Sequence, residues 1–588
     1  MSRKFGIHYA IAIHFVWIFG QAAFGESVGS GARAFGEPFA SRSAVVGQNG
    51  VVATSQPLAS LTAIEILKQG GSAVDAAIAA NAILGLLEPH MCGPGGDLFA
   101  IVWHPETSQL YGLNASGRSP KELDFATIKK LVGGNTQLPE VGPLSVTVPG
   151  AVDGWFELHK RFGRLPFKKI LAPAIHYANE GAAIAEISAA LWSLGDAELH
   201  SSQHVSKMLT NFEDTYRVLE SPPAAGTVFR NPDLAKTYRD LAEHGRDGFY
   251  RGKIAKRIVN YVREMGGYIS MDDMSSHQST WVDLVSTNYR GYDVFQLPPN
   301  GQGMAVLQML NILEGFDIAS MGSGSAEYWH AFIEAKKLTY EDLAKYYSDP
   351  SFSSTPTDWL LSKDYAKARR EMIDMQSAAK NVTPGFRSLS EGDTTYVTVG
   401  DSSGMMVSLI QSNYGLMGSG LVPDGLGFTL QNRGSQFSLD PKHQNRFEAH
   451  KRPFHTLIPG FVMKDGKPLI SLGVVGGAMQ PQGQVQVLIN MIDFGMNLQA
   501  AGDAARLRHS GGSTPSGETG KGVGSLKVEI GVETSVLEKL KAKGHVIETY
   551  SPEASDYVGG YQAIEFDSGN DVFRGASDMR LDGAALAY

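Results

Sequence analysis

The sequence predicts an α/β sandwich, two sheets face to face with helices outside them and an added helical region. Three observations predict it. Residues 150–390 carry mostly amphipathic helical patterning, as in Leu234–His244, Lys253–Met265 and Ala326–Tyr346. Near Ser388 the register changes, and short apolar, β-branched runs then alternate with turns. The chain has 588 residues, 43% hydrophobic and 19% charged, so it can bury a core of two layers.

Each element follows from local chemistry. Pro57-Leu58-Ala59-Ser60 opens a helix that Gly70-Gly71 ends, and Ala73–Leu87 reads as a second, buried helix. The turn Cys92-Gly93-Pro94-Gly95-Gly96-Asp97 feeds a strand over Leu98–Trp103. After the helical stretch, Thr394–Asp401, Met405–Ser412 and Leu426–Gln431 read as strands, separated by turns such as Ser402-Ser403-Gly404 and Asp424-Gly425. Further strands are expected at Thr456–Met463, Leu469–Val475, Leu526–Ile530, Val546–Tyr550 and Gln562–Phe566. Helices at Pro481–Phe494 and Ser535–Lys543 fall between them, and Gly511–Gly524 reads as a polar loop.

Composition excludes several classes. The net charge of −9 leaves no excess of cations for a nucleic-acid partner. One cysteine, Cys92, rules out an internal disulfide and any multi-cysteine zinc or iron–sulfur site. The 16 histidines show no metal-ligand spacing, so neither metal nor cofactor is expected. A G-x-S-x-G elbow is absent, and Gly517–Gly522 lacks the residues of a phosphate loop. At the start, Ser2-Arg3-Lys4, an apolar stretch Phe5–Gly20 and small residues to Gly25 read as a leader, residues 1–25, removed on export. Its apolar run is too short for the ~20 residues a span needs, so no stable membrane insertion is expected. The location implied is periplasmic or secreted.

The segment that carries chemistry is Gly392-Asp393-Thr394-Thr395-Tyr396-Val397-Thr398-Val399, at the junction of the helical and strand-rich parts. Alternation puts Thr394, Tyr396 and Thr398 on one face of a strand and Thr395, Val397 and Val399 on the other. Downstream come Gly418-Ser419-Gly420, Lys451-Arg452-Pro453 and Gly476-Gly477. Upstream stand Gly70-Gly71-Ser72-Ala73-Val74-Asp75-Ala76-Ala77, Glu88-Pro89-His90-Met91 and Gly93-Pro94-Gly95-Gly96. The chain closes on Gly575-Ala576-Ser577-Asp578-Met579-Arg580-Leu581-Asp582-Gly583. In this order the blocks resemble the γ-glutamyltranspeptidase family of N-terminal-nucleophile hydrolases, over nearly the whole mature chain.

The resemblance implies the αββα sandwich of that class. It also implies a precursor that cuts itself between Asp393 and Thr394. The products would be a large subunit, 26–393, and a small one, 394–588, held as a heterodimer. Thr394 would be the nucleophile and its own freed amine the base; with a reference pKa near 8, that amine makes a separate histidine unnecessary. By the same resemblance Thr395 supports the nucleophile, Ser412 bonds it and assists processing, and Gly476-Gly477 forms the oxyanion hole. Two N–H groups at a helix start suit an anion on their own account.

The pocket departs from the family pattern. Ser116 stands where an arginine grips the α-carboxylate, and Arg118, two residues on, could supply that grip. Gln436, before Phe437-Ser438, stands where an acid binds the α-ammonium; Asn432 and Arg433 lie just upstream. His455-Thr456 replaces a serine pair in the substrate wall. The small-molecule substrate is therefore either a γ-glutamyl amide such as glutathione, or the amide of another carboxylate-bearing acyl group. Cephalosporin-acylase-like and oxamate-amidohydrolase-like members take amides of the second kind. A third reading is an exported, non-catalytic binding protein that kept the fold.

Overall fold

The computed structural model describes residues 42–380, 382, 393–517, 520, 522–529, 531–549 and 558–588. The leader read at residues 1–25, the change of register at Ser388 and the ends of the strands expected at Ile530 and Tyr550 lie outside them. Among the described residues, no helix is long and apolar enough to cross a membrane.

Two seven-stranded antiparallel sheets form the layers. One runs Val45–Gly47, Val572–Ser577, Tyr561–Asp567, Lys467–Val474, Gly460–Lys464, Tyr292–Gln296, Val285–Tyr289. The other runs Ala584–Ala587, Gly50–Thr54, Asp393–Asp401, Met406–Tyr414, Asp97–His104, Gln109–Ala115, Thr280–Val282. They face each other across Ser471, whose hydroxyl meets those of Tyr396 (3.2 Å) and Thr398 (2.7 Å). The Tyr396 ring lies so close to Gly473 that a Cβ there would collide with it, which is why the inter-sheet layer needs glycine at that point.

Helices cover both outer faces. Pro57–Lys68 and Ala73–Leu87 lie on the second sheet, Met304–Leu313 and Met479–Ile492 on the first. Ala73–Leu87 is buried along its whole length and starts at a capping box: Asp75 N–H donates to Ser72 Oγ (3.1 Å) and Ser72 N–H to Asp75 Oδ2 (3.0 Å). Helices Ala151–Phe162, Phe167–Glu180 and Pro232–Tyr250 pack beside it as the added helical region.

The structure corrects the element reading at two places. Leu426–Gln431 is not a strand. Its buried backbone bonds instead to loops and a side chain: Leu430 N–H to Leu421 O (2.9 Å), Gln431 N–H to Gly95 O (2.9 Å) and Thr429 N–H to Tyr216 Oη (3.1 Å). The helical stretch also contains the edge strands Thr280–Val282 and Val285–Tyr289 and the strand Tyr292–Gln296 beside the latter. The last two meet at Arg290 (φ 51°) and Gly291 (φ 85°), two left-handed residues that make a tight hairpin.

Candidate active site

Thr394 is fully buried on the strand Asp393–Asp401, which lies between Gly50–Thr54 and Met406–Tyr414. Its two faces have different surroundings, as alternation requires. Tyr396 and Thr398 point into the inter-sheet layer, whereas Thr395 points at the helices and donates to Glu88 Oε2 at 2.5 Å. Ser55 Oγ (2.7 Å) and Gln56 Nε2 (3.1 Å) also donate to Glu88. Burial raises the Glu88 pKa against these bonds. The pairing slips at the nucleophile: Asp393 faces Tyr414 but Thr395 faces Gln411, so Ser412 and Asn413 together oppose Thr394. This bulge turns the Ser412 side chain, whose Oγ accepts Tyr414 N–H (2.7 Å) and Arg433 Nη2 (3.2 Å). Tyr414 completes it at φ 86°.

The glycine pair lies beside this strand. Gly476 (φ 111°) and Gly477 (φ 53°) turn the chain from Lys467–Val474 into the helix Met479–Ile492. Neither glycine N–H has a backbone partner among the described residues. From the second residue of the helix, Gln480 Nε2 donates to Thr394 Oγ1 at 3.1 Å, while its Oε1 accepts Ile458 N–H (3.2 Å). That second bond fixes which end of the amide faces the threonine.

Arg433 approaches from the other side. It is fully buried, with Nη1 on Thr456 Oγ1 (2.8 Å), Nη2 on Ser412 Oγ and its guanidinium over the Tyr414 ring (4.4 Å). Its Nε has no partner, and no carboxylate lies within ion-pair distance, among the described residues. Burial lowers its pKa to about 10 against the opposing field of Asp97, so it is a cation at neutral pH.

Several other expected ligands serve the scaffold. The Asn432 amide bonds backbone at both ends, Oδ1 to Gly415 N–H (2.9 Å) and Nδ2 to Glu140 O (2.7 Å). Gln436 is buried with Oε1 unpartnered among the described residues. Arg118 is partly exposed and turns to Gln278 O (3.5 Å), beside Arg452, away from the Arg433 cluster. Ser116 donates to Asn114 Oδ1 (2.7 Å). His455 packs on Phe99 (centroids 4.7 Å apart), and its Nδ1 accepts Leu457 N–H, so Nε2 carries the proton and donates to Asp97 Oδ2 (3.2 Å). Burial, Arg433 and Arg452 keep that imidazole neutral. His455 is thus fully buried and oriented by Asp97.

Asp97 was not among the sequence candidates, nor were Glu88 and Gln480. Their signals were an acid closing a glycine-rich turn, an acid before a proline and a glutamine opening a helix. Asp97 Oδ1 accepts Gly117 N–H (2.9 Å), Gly150 N–H (3.1 Å) and Gln431 Nε2 (2.8 Å). Burial still pushes its pKa up to about 6. A raised carboxyl binds its proton more tightly folded than unfolded, so its contribution to stability is greatest below about pH 4 and declines as pH rises to about 6. Protonation also removes a negative charge that opposes any anion beside Arg433. We therefore expect KM for a carboxylate-bearing substrate to fall several-fold from about pH 7.5 to about 5.5, while kcat falls if an amine freed at Thr394 is the base and protonates. Initial rates across that range check this, and Asp97→Asn should abolish the KM trend.

One group of ligand-type side chains meets elsewhere: His330, Glu334 and His545. There the Lys337 ammonium sits 2.7 Å from Glu334 Oε1, and His330 Nδ1 faces His545 Nε2 at 2.8 Å.

Comparisons with known proteins agree with this geometry. Residues 59–588 match the family model described as γ-glutamyltranspeptidase. The chain is 37% identical over 545 residues to the glutathione hydrolase-like YwrD proenzyme of Bacillus subtilis, covering 92% of this chain and 99% of that one. It is 32% identical over 550 residues to the oxamate amidohydrolase proenzyme of Klebsiella pneumoniae, covering 92% and 99%. Its fold matches the crystal structure of cephalosporin acylase from Bacillus halodurans with a TM-score of 0.86 and 39% identity, covering 93% and 97%. With the two facing sheets and Thr394 at the head of an inner strand, these matches show that the chain belongs to the γ-glutamyltranspeptidase family of N-terminal-nucleophile hydrolases.

Proposed function

We propose that the protein is an exported, self-processing threonine-nucleophile amidohydrolase whose acyl group carries a carboxylate but no ammonium. The observation that carries this reading is Arg433, a buried cation without a carboxylate partner among the described residues, bonded to Ser412 beside Thr394. The position expected to bind an ammonium holds the uncharged Gln436, and Arg433 itself would repel an ammonium. The relatives named oxamate amidohydrolase and cephalosporin acylase support this reading, as the relative named glutathione hydrolase-like supports the γ-glutamyl alternative.

Processing begins when Thr394 Oγ adds to the Asp393 carbonyl and displaces the Thr394 nitrogen. The resulting ester is opened by water, leaving the Asp393 carboxylate and a free Thr394 amine. In turnover that amine takes the Oγ proton as Oγ attacks the substrate amide. The negative oxygen of the tetrahedral intermediate lies against the N–H groups of the glycine turn, and Gln480 fixes Oγ. The leaving amine departs with the proton, and water or a second amine releases the acyl group from Thr394.

Incubation of the purified protein with the p-nitroanilides of glutarate, succinate and γ-glutamate tests this. N-terminal sequencing should find a fragment starting Thr394-Thr395-Tyr396. Nitroaniline should appear from glutaryl or succinyl anilide at least tenfold faster, by kcat/KM, than from the γ-glutamyl compound. The reverse preference would restore the γ-glutamyl reading, and an uncut, inactive chain would favour a binding protein.

A further inference from the structure

Two consecutive glycines can flip their shared peptide planes at little steric cost, because each tolerates either sign of φ. The turn at Gly476-Gly477 must nevertheless hold its N–H groups on one target. Gly476 O is held by Met479 N–H (2.8 Å), which fixes the Gly477 N–H across the same planar peptide. The next plane, Gly477–Ala478, is held by one bond from within the small subunit and one from outside it. Gln302, in the loop between Tyr292–Gln296 and Met304–Leu313, is fully buried and donates through Nε2 to Gly477 O (2.8 Å) and to Thr456 O (2.8 Å). Gln480 N–H also reaches Gly477 O, at 3.2 Å. Thr456 is the residue whose hydroxyl accepts Arg433. One side-chain amide therefore joins the glycine turn to the wall that holds the buried cation. The adjoining residues reinforce the joint: Gly301 bridges to His455, and Asn300 Nδ2 donates to Pro453 O (2.7 Å).

We propose that Gln302 is a positioning residue of the acylation step, supplied by the large subunit, which sets the Gly477–Ala478 peptide plane in register with the Arg433–Thr456 wall. This rests on the reading of the glycine turn as the oxyanion site. The Gly477 O that Gln302 holds and the Gly477 N–H belong to one residue, so losing the amide frees the torsions that set where that N–H points. The loss appears only where charge develops in the transition state, so it lowers kcat more than it changes KM.

The test uses processed Gln302→Met, Gln302→Asn and Gly476→Ala proteins with the anilide that the wild-type enzyme turns over best. Methionine fills the space without donors, and asparagine keeps the amide but is too short to reach both carbonyls. Alanine at Gly476 would have to adopt φ 111°, which deforms the turn directly. The expected result is a fall in kcat of roughly 10- to 100-fold for both Gln302 variants with KM within about two-fold, and a loss at least as large for Gly476→Ala. Wild-type kcat in Gln302→Met and Gln302→Asn, even with a lowered Tm, overturns the proposal and leaves Gln302 a scaffold residue. Wild-type kcat in Gly476→Ala as well would show instead that the oxyanion site lies elsewhere.

Discussion

A Thr394→Ala protein should remain one uncut chain on a denaturing gel, 63.2 kDa less any leader removed, and release no nitroaniline above background. The expected loss of turnover is on the order of 10⁶-fold, the scale seen when a covalent nucleophile is removed from a hydrolase. Two effects coincide in this one substitution. The hydroxyl that opens the Asp393–Thr394 bond is gone, and so is the amine that cutting would have exposed. The fold should survive, because the side chain loses one hydrogen bond, from Gln480 Nε2, in a layer otherwise held by Tyr396, Thr398 and Ser471. Thr394→Ser should separate the two effects, since it keeps the oxygen and therefore the cut. Intact mass and the thermal transition of each variant decide the matter. Cleavage of the alanine variant at the same bond would move the nucleophile elsewhere.

Arg433→Met should have opposite effects on stability and activity. The methionine removes the desolvation cost of a fully buried cation that has no carboxylate partner among the described residues, a cost larger than the two hydrogen bonds to Thr456 and Ser412 return. Tm is accordingly expected to hold or rise. Toward glutaryl or succinyl anilide the same change would delete the two charge-assisted hydrogen bonds proposed for the acyl carboxylate, about 3 kcal/mol together, or roughly 100-fold in kcat/KM. A neutral anilide such as the butyryl compound should lose little. Because Arg433 also touches Ser412, the comparison is made on protein shown by mass to be cut. An equal loss on charged and neutral substrates would mean that Arg433 organises the site and does not grip the substrate.

Much of this was legible in the residues. The helix Ala73–Leu87 was bounded correctly because a capping serine and a run of small apolar residues leave few alternatives. The change from helical to strand patterning located the Asp393–Asp401 strand, and alternation alone assigned its two faces. The errors arose where non-local contacts decide. Leu426–Gln431 has strand composition, but its hydrogen bonds go to Gly95, Leu421 and Tyr216, none of which a local pattern reveals. The same holds at the pocket. The sequence offered Arg118 for the carboxylate grip and placed Arg433 only near Gln436. The bulge that sets Ser412 against Arg433, and the Gln278 carbonyl that Arg118 meets, could not be read from it. Asp97 escaped notice because an acid after glycines is ordinary in a turn, and its role appears only when four partners converge on it.

The strand order of the two sheets bears on how such a protein can be made at all. In both, strands that precede Asp393 pair with strands that follow it: Gly50–Thr54 lies between Ala584–Ala587 and Asp393–Asp401, and Val45–Gly47 edges a block built from the chain's last third. Such interlacing can be reached while the polypeptide is continuous, because the search for partners is then unimolecular. Once the Asp393–Thr394 bond opens, the finished body stays together, yet unfolding would release two separate chains that must find each other again by diffusion. Maturation would thus act as a ratchet on folding itself, and the lifetime of the enzyme would be set by the barrier to its first unfolding.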